Sequence, residues 1–89
     1  MKNTRKLERI VKGFANHRRI EIVELLGREP ELSVLEISEK LKVNFKTISE
    51  HTRRLAISGL LMKRSDGTSI RHKLTFIGAS ILKFLRTLE

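Results

Sequence analysis

The chain has 89 residues, no cysteine, and 19 lysines and arginines against 10 acids, which gives a formal net charge of +9. So short a chain predicts one domain, residues 1–89, with a modest core, and argues against a multidomain enzyme with an enclosed cleft. Without cysteine there is neither a disulfide framework nor a thiolate metal site. No apolar run approaches the ~18 residues of a membrane span, so we expect a soluble, cytoplasmic protein with an anionic partner.

The first two predicted helices supply much of the candidate core. The first spans residues 4–14, where apolar residues recur at helical spacing. These residues are Leu7, Ile10, Val11 and Phe14. The second helix begins after the N-cap Asn16 and runs to about Leu26, and Gly27 is predicted to end it.

A helix-turn-helix is predicted for residues 34–58. Ser33 and Glu36 form the capping box that opens its first helix. The predicted core side of that helix consists of Leu35 or Val34, followed by Ile37 and Leu41. Residues 42–44 then make a turn so short that the two helices it joins form a helix-turn-helix.

The second helix of this unit, residues 45–58, has the pattern of a recognition helix. Asn44 caps its start and Gly59 stops it, while Ile48 and Leu55 lie two turns apart on one thin apolar seam. The opposite face carries polar and charged groups suited to base edges and phosphates. They are Lys46, Ser49, Glu50 and Arg53. Such a helix lies half-buried on a small domain and presents its polar face outward.

A β-hairpin is predicted for residues 60–74. After residue 59 the apolar period changes from about 3.6 to about 2. The Asp66-Gly67 turn between the extended runs 60–65 and 69–74 is a strong hairpin signal. The tip of this hairpin is rich in positive charge and hydroxyl groups. A polar, basic hairpin directly after a recognition helix is typical of the wing of a winged helix.

The last predicted helix, residues 76–88, begins at the N-cap Thr75 and is apolar on more than one side. So much apolar surface is hard to cover within a chain of 89 residues. We therefore expect a second copy of the chain to cover it, with help from the first helix. The predicted homodimer interface consists of Leu7, Ile10, Val11, Phe14, Ile77, Ile81, Phe84 and Leu88.

This order of elements, about five helices and a two-stranded wing in a mainly α chain, resembles the ArsR-type winged helix-turn-helix repressors. Residues 16–26 (N-H-R-R-I-E-I-V-E-L-L) look like the family's D-P-T-R-L-R-I-L-E-L-L segment. Residues 32–38 (L-S-V-L-E-I-S) are similar to L-S-V-x-E-L-A. Residues 47–61 are similar to T-V-S-x-H-L-x-x-L-x-x-x-G-L-V, and residues 74–78 to the L-T-x-x-G that opens the final helix.

The resemblance implies a sequence-specific transcriptional regulator, a repressor, that binds double-stranded DNA as a homodimer. The second helix of the helix-turn-helix would read the major groove, and the wing would contact the backbone or the minor groove. The residues expected to contact DNA are Ser33, Phe45, Lys46, Thr47, Ser49, Glu50, Arg53, Arg54, Arg64, Thr68, Arg71 and Lys73.

The chain departs from the metal-sensing members of that family, which use cysteines or paired His, Asp and Glu ligands. Residues 76–88 contain none of these, and His17, His51 and His72 fall in separate elements. We therefore expect a non-metal-binding member with no cofactor. His51 matches the motif histidine and is expected to be structural. Family members often carry a donor in place of Glu50, where a carboxylate either reads a cytosine amino group or repels phosphate.

Two other functions are compatible with a winged helix. One is a protein-interaction module, although residues 46–75 carry seven Lys and Arg against two acids. The other is binding of RNA or single-stranded DNA, which usually requires aromatic stacking platforms. This chain has four phenylalanines and neither tyrosine nor tryptophan, and only Phe45 is placed for exposure. Nothing in the sequence supports catalysis, and no pattern identifies an effector ligand.

Overall fold

The computed structural model describes residues 3–89 as five helices and one β-hairpin, which confirms the predicted winged helix-turn-helix architecture. The helices are α1 (Thr4–Phe14), α2 (His17–Arg28), α3 (Val34–Leu41), α4 (Phe45–Ile57) and α5 (Phe76–Arg86). The strands are β1 (Leu61–Ser65) and β2 (Ile70–Leu74). None of the helices in this part of the chain combines the length and apolar character needed to cross a membrane.

Each helix begins at a side chain that caps its free amides. Asn16, Ser33, Asn44 and Thr75 accept backbone hydrogen bonds at the starts of α2 to α5, as predicted. Asn3 does the same for α1, which the sequence reading did not foresee. Such caps are worth roughly 1 kcal/mol each, so they fix where each helix starts.

Gly27 lies inside α2, and the prediction that it ends the helix was wrong. The helix continues to Arg28 and is closed by the bond from the Glu29 amide to the Leu25 carbonyl. A Cβ atom at position 27 would overlap the Cδ2 atom of Leu82 on α5. This glycine therefore allows close packing of α5 on α2.

The core contains twelve apolar residues of the described chain, drawn from every helix and from the base of the hairpin. They are Phe14, Ile22, Val23, Leu25, Leu26, Leu32, Ile37, Ile48, Leu55, Leu60, Leu61 and Leu82. On α3, Val34 packs partly against this core while Leu35 is 55% exposed, so Val34 is the correct choice of the two. The buried Ile48 and Leu55 form the predicted seam of α4.

The two strands pair antiparallel, from Leu61 opposite Leu74 to Ser65 opposite Ile70. The free edge of β2 is joined to the segment before α3 by an isolated bridge between Leu32 and His72. The His72 amide donates to the Leu32 carbonyl at 2.9 Å, and the buried His72 ring places Nδ1 3.0 Å from the same oxygen. The wing is therefore fixed to the start of the helix-turn-helix.

Candidate nucleic-acid interface

The orientation of α4 is set by its buried seam. Ile48, Thr52 and Leu55 are buried, and the Thr52 hydroxyl donates to the Ser49 carbonyl at 2.9 Å. Burial of this side turns the opposite side of the helix to solvent. Lys46, Thr47, Arg53 and Arg54 are exposed, and Ser49 and Glu50 are partly exposed. The expected polar face of the recognition helix is therefore continuous and accessible.

The N-terminus of α4 projects from a tight turn. Lys42 adopts a left-handed conformation with φ 56°, which redirects the chain from α3 into α4. The Asn44 side chain then accepts hydrogen bonds from the amides of Lys46 (2.8 Å) and Thr47 (3.3 Å). Phe45, the first helical residue, is 51% exposed. The first turn thus combines a charged, a hydroxyl and an aromatic side chain on an accessible surface.

Glu50 binds the neighbouring arginines of α4. Its carboxylate accepts two hydrogen bonds from Arg53, at 2.9 and 2.6 Å, and Arg54 Nε lies 3.5 Å away. The bond from Arg53 lowers the pKa of the Glu50 carboxyl, and the same contact raises the pKa of Arg53. From the sequence, Glu50 was expected to read a cytosine amino group or to repel phosphate. The structure adds a third role, which is to orient the Arg53 guanidinium.

His51 has the structural environment expected from the sequence. Arg19 Nε donates to His51 Nδ1 at 3.1 Å, and the Arg19 guanidinium also reaches the carbonyls of Lys12 and Gly13 at 3.3 Å. Burial lowers the pKa of the imidazole, and the positive charge of Arg19 lowers it further. Through Arg19, His51 therefore connects α4 to α2 and to the end of α1.

The two faces of the wing differ because successive side chains in a strand point to opposite sides. Lys63, Ser65 and Ile70 lie on the face that borders a groove of about 410 Å³ with Ser49 and Arg53 of α4. The strand register places Met62, Arg64, Arg71 and Lys73 on the opposite face. Three of the predicted DNA contacts in the wing thus lie on the side away from α4.

The two arginines of that outer face are bound by carboxylates. Arg64 donates to Glu31 at 2.9 and 2.6 Å. Arg71 donates to Asp66 at 2.8 Å and to Glu36 on α3 at 2.9 Å. The bond from Arg71, with backbone bonds from the turn, holds the pKa of Asp66 far below its ordinary value. These donors join the wing to the segment around α3, while contact of Arg64 and Arg71 with DNA stays a prediction.

Lys63 and Ser65 were not among the DNA contacts expected from the sequence, although they lie on the face of the wing that borders α4. Their alternation with Arg64 along β1 was the sequence signal for this face. Lys63, Lys73 and Lys46 form no ion pair with another residue of the range 3–89 and are exposed. Thr68 lies at the tip, where its amide and hydroxyl bond to Asp66.

The remaining predicted contact, Ser33, has its hydroxyl engaged by the cap of α3. It accepts from the Glu36 amide at 3.2 Å, while the Ser33 amide donates to the Glu36 carboxylate at 2.9 Å. Within residues 3–89 no group of three His, Cys, Asp or Glu side chains is placed to hold a metal ion.

Half of the predicted dimer surface is exposed. Leu7 and Val11 on α1 are 48% and 52% exposed, and Phe84 and Leu88 near the end of the chain are 51% and 67% exposed. Ile10, Ile77 and Ile81 are partly buried against the core. The placement of Phe14 in this interface is corrected, because Phe14 is 8% exposed and belongs to the core of the protomer. The expectation that Phe45 alone among the phenylalanines is exposed was also wrong, because Phe76 and Phe84 are 87% and 51% exposed.

Comparison with known proteins agrees with this geometry. Residues 16–63 match the family model described as bacterial regulatory protein, arsR family. The chain is 32% identical over 74 residues to the transcriptional activator HlyU of Vibrio cholerae, covering 83% of this chain and 68% of the relative. The HlyU structure from that organism has a TM-score of 0.85 at 30% identity, over 98% of this chain and 95% of that one.

A second similar structure comes from Mycobacterium bovis. It is described as a homodimeric winged helix-turn-helix DNA-binding domain and has a TM-score of 0.86 at 26% identity, covering 96% of this chain and 79% of that one. It is also described as a possible ArsR-family transcriptional regulator. The chain belongs to the ArsR family of bacterial regulatory proteins, and it is a DNA-binding regulator of transcription.

Proposed function

We propose that this protein is a homodimeric repressor that recognises a specific duplex DNA site through the N-terminal half of α4. The observation that carries the proposal is the geometry of α4. Its apolar seam is fully buried, so a continuous polar face with three cations, Lys46, Arg53 and Arg54, is presented beside a basic wing. A helix held in this way fits the major groove of B-DNA, which is about 12 Å wide.

Different residues of this surface are suited to different contacts. Lys46, Thr47 and Ser49 lie in the first turns of α4, which reach base edges in helix-turn-helix proteins. Arg53, oriented by Glu50, lies one turn beyond Ser49 and can reach a guanine or a phosphate. The wing lysines and Thr68 suit phosphates, which position the protein without specifying sequence.

The proposed dimer uses the exposed apolar sides of α1 and α5. Such exposed surface is suited to burial by a second copy related by two-fold symmetry. The Mycobacterium bovis relative, described as homodimeric, supports this assembly. Two recognition helices would then lie about 34 Å apart, so the site should be a near-palindrome with half-sites one helical turn apart.

We propose repression because a protein that occupies a promoter through its DNA-binding surface excludes polymerase without any further contact. HlyU of Vibrio cholerae is described as an activator, so transcription in vitro from a bound promoter is the direct check. Lower transcript yield supports repression, and higher yield contradicts it. Binding to chromosomal DNA would place the protein at the nucleoid in the cytoplasm.

The nucleic-acid preference is tested by fluorescence anisotropy with a random duplex, a single strand of the same sequence and a structured RNA. We expect the duplex to bind most tightly at low and at physiological salt. Tighter binding of single strands or RNA would contradict the proposal, and a lack of binding to all three would favour a protein-interaction module.

The dimer is tested by sedimentation of Phe84→Glu, because Phe84 is half-exposed and its replacement leaves the core intact. We expect this variant to sediment as a monomer. Ala79→Glu is the matched control, since Ala79 is exposed on another side of α5. A wild-type monomer at tens of micromolar, or equal behaviour of the two variants, would contradict a dimer through this surface.

A further inference from the structure

An apolar groove of about 320 Å³ lies beside the N-terminus of the recognition helix. It is bordered by the start of α3, the first residue of α4 and the wing. Its lining consists of Ser33, Val34, Leu35, Phe45, Ser69 and Ile70. We call this surface the Phe45 groove. Leu35 and Phe45 are each at least half exposed, and Ile70 is 44% exposed, so the groove presents bare apolar surface to solvent.

The Phe45 groove is continuous with the proposed DNA surface. Phe45 is the first residue of α4 and is followed by the exposed Lys46. The first residues of a recognition helix are those that contact base edges in the major groove. Ile70 also borders the groove between the wing and α4. A duplex that contacts both Phe45 at the start of α4 and Ile70 in the wing would therefore cover this apolar surface.

Duplex DNA offers one apolar group on its major-groove base edges, the C5-methyl group of thymine, and phenylalanine is among the side chains that contact it. The flanking positive charge attracts the duplex, but Phe45 itself has neither a hydrogen-bond donor nor an acceptor to read a polar base edge. We propose that Phe45 contacts the methyl group of one thymine in each half-site and so makes that thymine part of the recognition sequence. This inference rests on the duplex binding proposed above.

Replacement of thymine by deoxyuridine tests the contact because it removes only the methyl group. Each thymine of a site selected from random duplexes is replaced singly, and the affinity is measured by anisotropy. A buried methyl or methylene group contributes ~0.8 kcal/mol, so we expect a loss of about fourfold at one position in each half-site. A wild-type protein that is indifferent to every such replacement would overturn the proposal, as would a selected site that accepts cytosine equally there.

The assignment to Phe45 is tested by the variant Phe45→Ala. It should bind the selected site less tightly, but with equal affinity for thymine and deoxyuridine at the sensitive position. Ile57→Ala is the matched control, because Ile57 is a 71% exposed apolar residue of the same helix outside the Phe45 groove. The control should keep the fourfold preference. Retention of that preference by Phe45→Ala would assign the methyl contact to another residue and refute the proposal.

Other occupants of the Phe45 groove give different results. If a second copy of the chain covers it, Phe45→Ala changes the sedimentation of the free protein and leaves the thymine preference intact, which overturns the inference. If the wild-type protein binds no duplex, both the proposed function and the Phe45 contact are refuted. Duplex binding without methyl sensitivity overturns the Phe45 contact alone. Thermal melting of each variant is measured as well, to show whether it is folded.

Discussion

The recognition helix and the wing are both basic, but their cations are held in different ways. On α4 the carboxylate of Glu50 binds Arg53 three residues away, so the pair moves with the helix as a unit. In the wing, Arg64 and Arg71 reach Glu31 and Glu36, more than 30 residues away in sequence. The arginines of the wing thus attach it to the segment around α3, whereas its lysines are exposed and are proposed to contact phosphate.

The largest expected loss of DNA affinity comes from removing single cations from the exposed face of α4. Lys46→Ala and Arg53→Ala should each cost roughly 1–3 kcal/mol on the preferred site if the lost contact is bidentate, and should relax sequence preference. Anisotropy with the preferred site and with a scrambled duplex measures both effects. Equal losses on the two duplexes would mean that α4 does not read bases.

The next largest effect on DNA affinity is expected from removing the negative charge of Asp66, which binds Arg71 within the wing. Asp66→Asn keeps the side-chain oxygen that accepts the Thr68 and Ser69 amides but weakens the pairing with Arg71. We expect DNA affinity to fall by up to about fivefold, since an exposed or partly exposed ion pair is worth at most ~1 kcal/mol. Faster hydrogen exchange of the β2 amides should accompany the loss.

If Arg71 instead contacts phosphate, Asp66→Asn should raise DNA affinity. Loss of the Asp66 charge would then release the Arg71 guanidinium to bind DNA. Glu36→Gln is the companion variant, because glutamine preserves the capping box and loses only the charge that faces Arg71. Tighter binding by both variants would contradict the role of Arg71 in attaching the wing.

Replacement of a single wing lysine should lower DNA affinity by a smaller amount, which is the same for every duplex sequence. Log affinity for duplex DNA falls with log salt by ~0.9 for each phosphate neutralised. Lys63→Ala or Lys73→Ala should therefore lower the salt slope by about 1 and weaken all duplexes alike. Arg64→Gln is the comparison variant, since the Arg64 guanidinium is bound by Glu31. An affinity that stays flat between low and physiological salt would contradict phosphate neutralisation.

The smallest expected effect is on stability at mildly acidic pH. Burial lowers the pKa of His72 in the wing and of His51 in α4 below 6.5. The unfolded chain therefore takes up protons first, and stability present above about pH 6.5 is lost as the pH falls through the lowered pKa values. Denaturation in urea at several pH values measures this. His72→Gln should flatten the dependence more than His51→Gln, because His72 is more deeply buried.

Local sequence signals predicted the helices and strands, whereas the role of Gly27 and the ion pairs of the wing depend on tertiary contacts. Asn16, Ser33, Asn44 and Thr75 could be read as caps because a cap bonds to amides two or three residues away. The role of Gly27 depends on Leu82, which is distant in sequence, so its spacing resembled a helix end. For the same reason the cations of the wing could be counted from the sequence, but the carboxylates that bind two of them could not.

Side-chain periodicity was enough to predict part of the candidate site. The seam of α4 repeats every seven residues, and its burial turned Lys46 outward as expected. The sequence analysis left Leu35 and Val34 as alternatives on α3, and the structure packs Val34 against the core while Leu35 is exposed. The exposure of Leu35, and with it the Phe45 groove, depends on how α3 packs beside the wing.

The central claim is that α4 specifies bases while the wing lysines only position the protein. Selection of binding sites from a random duplex library, performed in parallel with the wild-type protein, Lys46→Ala and Lys73→Ala, tests it most directly. We predict a near-palindromic site for the wild type, a site that loses bases in both halves for Lys46→Ala, and an unchanged site for Lys73→Ala. An unchanged site for Lys46→Ala together with a changed site for Lys73→Ala would contradict the account.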